Sequence, residues 1–299
     1  MSAVRRPVVA ITVGDPAGIG PEIARKAAAD ARVLEVCEPR LYGPATPEVL
    51  APFTPGVLSG EAGRAAYLAI VAAVEDARAG RVDAIATAPV NKEAFALAGL
   101  PWKGHTDLLG ALTGASRPVM FFHSEPLRVA LATVHIALGE VPRALTADGL
   151  EATIRITAEA LPAFGRPRAR LAVAGLNPHA GEHGLMGRED DEVIAPVVER
   201  LARAGVDVHG PIPGDTVFVR AVRGEFDAVV ACYHDQGLIP IKLLAFGSAV
   251  NVTLGLPIIR TSVDHGTAFD IAGQDRADPS SLIEAIRLAA RLAAGRPSS

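Results

Sequence analysis

Cysteine is nearly absent from this chain of 299 residues: only Cys37 and Cys232 occur, far apart and in no CxxC pattern. Their scarcity excludes a disulfide framework and a thiolate zinc site, and it fits a reducing compartment. Charge of one sign is not concentrated anywhere. The formal net charge is −4 and no basic block occurs, which argues against nucleic acid as a partner. Long hydrophobic runs are missing as well. No stretch approaches the roughly 20 apolar residues of a membrane span. The apolar part of MSAVRRPVVAITVGDPAG is broken by Asp15 and Pro16, too early for a signal sequence, so a first strand and a cytoplasmic location are expected. Two phosphate-binding signatures are also lacking. GDPAGIGPEI (14–23) has neither the G-x-G-x-x-G spacing nor the GK[ST] ending of a P-loop.

What is present is a foldable composition, 49% hydrophobic and 21% charged, on a chain long enough for one large domain or two ordinary ones. VVAITV (8–13), AIATAPV (84–90), VALATVHIAL (129–138), RLAVAGL (170–176) and AVVACY (228–233) are apolar without alternation. Strands covered on both faces of a parallel sheet have this character. Between them, residues 60–80, 149–165 and 280–295 read as helices, and 42–56 as a Pro-rich loop. Strand–helix alternation of this kind predicts an α/β fold with crossover connections.

Open α/β sheets bind ligands beyond the carboxyl ends of their strands. Those ends carry His135, then His179 and Glu182, then His234 and Asp235, then Asp264 and His265, so half of the eight histidines fall there. One such histidine is ordinarily a hydrogen-bonded side chain near a turn. Four in equivalent positions suggest a metal site assembled from separate strands, since neutral imidazole is the usual ligand of zinc-like ions and catalytic sites take three protein ligands. Gly18 and Gly20 read either as a tight strand-to-helix turn or as backbone approaching a ligand. Lys242 and Arg260 stand among apolar neighbours. A buried arginine needs a partner, and a phosphate or carboxylate of a substrate would supply one.

GDPAGIGPEI, GHTDLLG (104–110), VHIAL (134–138), GLNPHAGEHGLMGRED (175–190), GPIPGDTVF (210–218), YHDQGLIPIK (233–242) and NVTLGLPIIRTSVDHGTAFDIAG (251–273) together resemble the 4-hydroxythreonine-4-phosphate dehydrogenase family over nearly the whole chain. The resemblance implies two α/β/α domains of isocitrate/isopropylmalate dehydrogenase type with a cleft between them and a non-Rossmann cofactor site. Residues 1–100 with 250–299 would bind the cofactor, and 101–249 would carry substrate, metal and dimer contacts. It implies a homodimer whose active site the second subunit completes. The metal ligands would be His135, His179 and His234, for Zn, Mg or Co. The substrate would be held by His105, Thr106, Lys242, Asn251 and Arg260. GDPAGIGPE and HGTAFDIAG are similar to the dinucleotide loops of the wider β-decarboxylating dehydrogenases, which places Gly18, Gly20, His265 and Asp270 at NAD. Asp270 would accept hydrogen bonds from the adenosine ribose and repel a 2′-phosphate, favouring NAD over NADP. For the catalytic proton, Asp215, Asp235 and Lys242 are candidates, and either aspartate could instead orient a histidine.

The reaction so implied is oxidative decarboxylation of 4-phosphohydroxy-L-threonine to 3-amino-2-oxopropyl phosphate and CO2. Relatives acting on threonate or erythronate 4-phosphate, or on dihydrodiol carboxylates, share the triad, so it does not separate them. The chain is shorter than typical members around residues 44–59. A metal-dependent hydrolase would also use three histidines, but it would have no use for the paired GDPAGIGPE and HGTAFDIAG loops.

Overall fold

Strands that are apolar on both faces are stable only where both faces are covered. The structure, a computed structural model describing residues 5–295, places these runs there. Its strands are β1 (Val8–Thr12), β2 (Glu38–Tyr42), β3 (Ala84–Thr87), β4 (Val119–His123), β5 (Arg128–Leu131), β6 (Leu171–Ala174), β7 (Val208–Ile212), β8 (Ala228–Ala231), β9 (Val250–Leu254) and β10 (Arg260–Ser262). Every residue of β1, β3, β5, β6 and β8 is buried. Five strands lie outside the five apolar runs: β2, β4, β7, β9 and β10. EPRLY of β2 and VHGPI of β7 are each partly exposed, as outermost strands of a sheet are.

The chain divides into two compact units: residues up to Pro118 with those from Val250 onward, and Val119–Ala249. In the first the strand order is β2-β1-β3-β10-β9, parallel except for β9 against β10. In the second it is β4-β5-β8-β6-β7, parallel except for β4 against β5. Each unit thus has its own four parallel strands and one reversed strand.

The division falls at residue 118 rather than 100 for a packing reason. Leu108 and Leu109, on helix His105–Thr113, are fully buried with Val8, Ile70, Ile85 and Phe95 in the first unit's core. Each such leucine contributes about 1.5–3 kcal/mol on leaving water, which holds the segment in that unit. The second core gathers Phe122, Leu127, Val129, Val229, Leu238 and Ile241. The expected helices form at Gly60–Arg78, Ala147–Ala160 and Ser280–Ala294. Ser59 and Thr146 cap the first two through side-chain oxygens that accept from Ala62 and Gly149 amides. The 42–56 stretch is irregular apart from a turn of helix at Pro47–Leu50. Among the described residues no helix is long and apolar enough to cross a membrane.

Candidate active site

In the second unit, two histidines distant in the chain are brought together by main-chain pairing. Beyond β5 and β8 the strands stay in register. The Ala132 amide donates to the Ala231 carbonyl at 2.9 Å, and the Thr133 amide and hydroxyl both donate to the Cys232 carbonyl, at 3.1 and 2.7 Å. Each chain then runs only two more residues to its histidine, and the His135 and His234 rings lie 5.4 Å apart between centroids, inclined at 40°. His234 opens helix His234–Ala245, which sits close on the strands because Gly237 lacks a Cβ. A Cβ there would come within 2.7 Å of Leu131 and 2.8 Å of Val129. The Nδ1 of His234 lies 2.7 Å from Oδ1 of Asp235, which orients the ring and leaves Nε2 for a ligand.

His179 occupies a different setting. From His179 to Gly184 the backbone is left-handed at every residue, non-glycine positions included, with φ of 55° at His179. Such backbone costs about 1–3 kcal/mol per residue and persists only where its surroundings over-determine it. Just before this stretch the chain is anchored by Asp190. Its fully buried carboxylate accepts from the amides of Leu176 and Asn177 and from the Asn177 side chain, at 2.9–3.0 Å. The His179 side chain is 68% exposed, with Nδ1 3.5 Å from Glu182. Among the described residues, no group of three or more histidine, cysteine, aspartate or glutamate side chains is placed to hold a metal ion. The structure therefore brings together two of the three predicted ligands and leaves His179 outside that pair. The pair does fit a zinc-like ion in donor type, with its carboxylate support already in place.

The candidate proton carriers differ in setting. Asp215 is exposed in the first turn of helix Gly214–Val222, and Lys242 is exposed on helix His234–Ala245. Asp235 is engaged at His234.

In the first unit the polar side chains are enclosed. Arg260, the first residue of β10, is 2% exposed. Its Nη1 donates to Thr253 Oγ1 at 2.8 Å and its Nη2 to Thr87 Oγ1 at 2.7 Å, while Nε is buried without a partner. Burial pulls the guanidinium down to about 9, so it stays cationic at neutral pH, and among the described residues no carboxylate forms an ion pair with it. His105, half-buried at the start of its helix, has an enclosed and unpartnered Nε2. Burial and then the charge of Arg260 hold it well below 6.5, in the neutral form. Asn251 Oδ1 is likewise enclosed without a donor, and Asn251 pairs in register with Ser262. Thr106 is half-buried beside His105.

The two glycines after β1 have a packing explanation. A Cβ on Gly20 would lie 2.0 Å from the Val13 carbonyl, and one on Gly18 2.8 Å from the Thr267 carbonyl. The Ile19 amide donates to that same Thr267 carbonyl at 2.9 Å. GDPAGIGPE and HGTAFDIAG are thus stitched together through backbone, with His265 and Asp270 both exposed on the second loop. The Asp270 carboxylate has no hydrogen bond among the described residues, leaving it open to hydroxyl donors of a cofactor.

Sequence reading missed several contributors. Thr87 and Thr253 hold Arg260. Gln236 accepts from the Cys232 amide and donates to the Gly175 carbonyl, both at 2.7 Å, tying the ends of β8 and β6. Asp15, buried at the end of the first apolar run, accepts from the Ala17 amide, and burial raises its carboxyl. Its one visible signal was a charged residue ending a wholly apolar strand.

The family model of the pyridoxal phosphate biosynthetic protein PdxA matches residues 12–289. The 4-hydroxythreonine-4-phosphate dehydrogenase of Desulfosudis oleivorans is 47% identical, over 95% of this chain and 95% of its own. The D-threonate 4-phosphate dehydrogenase of Pectobacterium atrosepticum is 42% identical, over 96% and 99%. The crystal structure of 4-hydroxythreonine-4-phosphate dehydrogenase from Klebsiella pneumoniae superposes with a TM-score of 0.87 at 40% identity, covering 98% of this chain and 99% of that one. With the same motifs, the same fold and near-complete coverage, the chain belongs to the PdxA family and is an NAD-dependent dehydrogenase of a phosphorylated hydroxy acid.

Proposed function

We propose that the chain catalyses metal-assisted, NAD-dependent oxidation of 4-phosphohydroxy-L-threonine at its carbinol, followed by loss of CO2 from the resulting β-keto acid, giving 3-amino-2-oxopropyl phosphate. The observation that carries this reading is Arg260: a buried guanidinium whose only hydrogen-bond partners among the described residues are two threonine hydroxyls, with an unmatched Nε, is a socket for an anionic group of the substrate. Thr87 and Thr253 fix the fork before the substrate arrives. His105 adds a donor without adding a second charge, Asn251 offers an unused acceptor, and Thr106 lies beside them. Lys242, on its exposed helix, supplies a mobile cation to the same class of ligand.

His135, His234 and His179 would hold the divalent ion, zinc, magnesium or cobalt. The chemistry such an ion supplies is charge neutralisation at a developing oxyanion, and that of NAD is hydride acceptance. Asp235 orients His234, which leaves Asp215 as the carboxylate for proton transfer. Gly18 and Gly20 keep the cofactor loops closely packed, and Asp270 would accept from ribose hydroxyls and repel a 2′-phosphate, with His265 nearby.

A homodimer completes the site in this reading. Ile136, Leu138, Leu185, Met186, Ile239, Leu243 and Phe246 are exposed at 45–84%. They sit on the segments that carry His135, His179 and His234, and an apolar surface of this kind marks an interface. A second copy would then bring the third imidazole that one chain does not gather. The cytoplasm is the proposed location, consistent with two buried, unpaired cysteines whose thiols burial makes inert, Cys37 being raised to about 11.

A second reading, oxidation of D-threonate 4-phosphate, is favoured by the likeness to the Pectobacterium enzyme. A turnover screen decides between them: 4-phosphohydroxythreonine, threonate 4-phosphate, erythronate 4-phosphate and a dihydrodiol carboxylate, each with NAD and with NADP. The first substrate with NAD is expected to give the highest kcat/KM. A higher value for threonate 4-phosphate selects the second reading, and no NADH formation from any of them defeats both.

A further inference from the structure

The two loops joined through Ile19 and Thr267 are joined a second time, beyond the far end of HGTAFDIAG, by side chains with no part in the site described above. Helix Gly20–Ala28 begins within GDPAGIGPE. Glu22 and Lys26 lie one turn apart on it, and both reach the segment that follows HGTAFDIAG. Glu22, 7% exposed, accepts the Ala277 amide at 2.7 Å and the Lys26 ammonium at 2.9 Å on the same oxygen, Oε1. Lys26 Nζ donates in turn to the carbonyls of Asp275 and Ala277, at 3.1 and 3.2 Å, and lies 3.1 Å from Oδ1 of Asp275. Its three ammonium protons thus have three acceptors in Glu22 and two loop carbonyls.

The attachment answers a local need. Asp275 has left-handed backbone, with φ of 54°, which a residue bearing a side chain seldom adopts without support. Lys26 supports it by engaging the Asp275 carbonyl and carboxylate together. Between the two attachments, at Thr267 and at 275–277, stands Asp270. Its carbonyl accepts from Gln274 Nε2 at 2.8 Å, which closes the turn internally. The middle of the loop is also packed closely. A Cβ on Gly56 would come within 2.8 Å of the Phe269 carbonyl, and one on Gly273 within 2.9 Å of Pro55. A loop fixed at both ends presents its carboxylate with little left to order on binding.

We propose that Glu22 and Lys26 are positioning residues for the dinucleotide. They hold 275–277 so that Asp270 stands ready for the adenosine ribose hydroxyls, and neither touches the cofactor itself. The inference rests on the reading that HGTAFDIAG binds NAD. Releasing the clamp then weakens the cofactor and leaves the chemical step alone.

Hydrogen exchange of the chain without cofactor, read by mass spectrometry, tests the clamp, and isothermal titration with NAD tests its effect. The Lys26 side chain is 31% exposed, so Lys26→Met is expected to keep its circular dichroism spectrum. Amides of 264–277 are expected to exchange faster in that variant, with the rest of the first unit unchanged. The Kd and KM of NAD are expected to rise about threefold to thirtyfold, while kcat and the KM of the phosphorylated substrate stay as in the wild type. Lys26→Arg, which keeps the charge, restores most of the loss. Unchanged exchange in 264–277, or faster exchange across the whole unit with a fall in kcat, overturns the inference. Asp270→Ala separates it from the reading beneath it. If that variant binds NAD as the wild type does, the loop is not the cofactor's and both fall. If it binds NAD weakly while Lys26→Met binds it normally, the positioning role alone falls.

Discussion

The two units share a plan, four parallel strands and a reversed one, yet the first draws its groups from within β9 and β10 and the second from just past its strand ends, and they prepare for their ligands in opposite ways. The first encloses its groups before anything binds: Arg260 is 2% exposed and donates to two threonine hydroxyls. The second leaves its groups open: the His234 and His179 side chains are 39% and 68% exposed, and only His135 and His234 meet. A buried, under-neutralised cation draws its affinity from desolvation already incurred in folding. An open imidazole pair draws it from ligands still to arrive. The difference teaches that removing a group should affect stability in the first unit and occupancy in the second.

The largest effect expected is from His234→Ala. Metal content by mass spectrometry should fall to background and turnover below detection, with an unchanged circular dichroism spectrum, because the side chain is partly exposed and its helix is anchored by Leu238 and Ile241. Full activity from a metal-free variant would refute its role. Next comes Arg260→Met. Loss of the charged donor should raise the substrate KM about tenfold to a hundredfold. Tm should hold or increase, since an unneutralised buried charge has been removed. A large fall in Tm would mean that the guanidinium is a structural group. Asp235→Asn is a gentler way to blur the contrast: metal affinity should drop about tenfold, the usual effect of a carboxylate that orients a ligand, while the anion site is untouched.

The smallest effect is a pH dependence confined to the first unit. The folded state holds His105 well below 6.5, so the unfolded chain takes up a proton that the folded chain refuses. Stability from this group is therefore complete above 6.5 and lost as pH falls below it. Arg260 acts at the other extreme: with its guanidinium pulled down to about 9, the unfolded chain holds the extra proton above that pH, and stability from this group rises as pH climbs past about 9. Nuclear magnetic resonance of the imidazoles gives the direct check, with no titration of His105 between pH 6 and 8.

Much of this was legible in the chain itself, for a physical reason. Strands covered on both faces must be apolar throughout, so β1, β3, β5, β6 and β8 announce themselves, and the polar residues that end them stand out. The outer strands β2 and β7 do not, because a partly exposed strand needs no such run. Arg260 was visible as a charge among Ile259, Thr261 and Val263, but Thr87 and Thr253, which hold it, look like any strand threonine until strand order is known. The meeting of His135 with His234 depends on which strands are neighbours, and no local spacing encodes that. Nothing local marks Asp190 within GLNPHAGEHGLMGRED, since its work is to accept main-chain amides fourteen and thirteen residues away.

The shared carbonyl of Cys232 has a consequence for how this molecule can vary. Thr133 grips that oxygen twice, so the two short tethers to His135 and His234 are measured from a common anchor. Adding or deleting one residue in either tether would shift one ring against the other by about a strand repeat of 3.3 Å, more than a coordination bond tolerates. Side chains along these tethers are free to change, but their lengths are not.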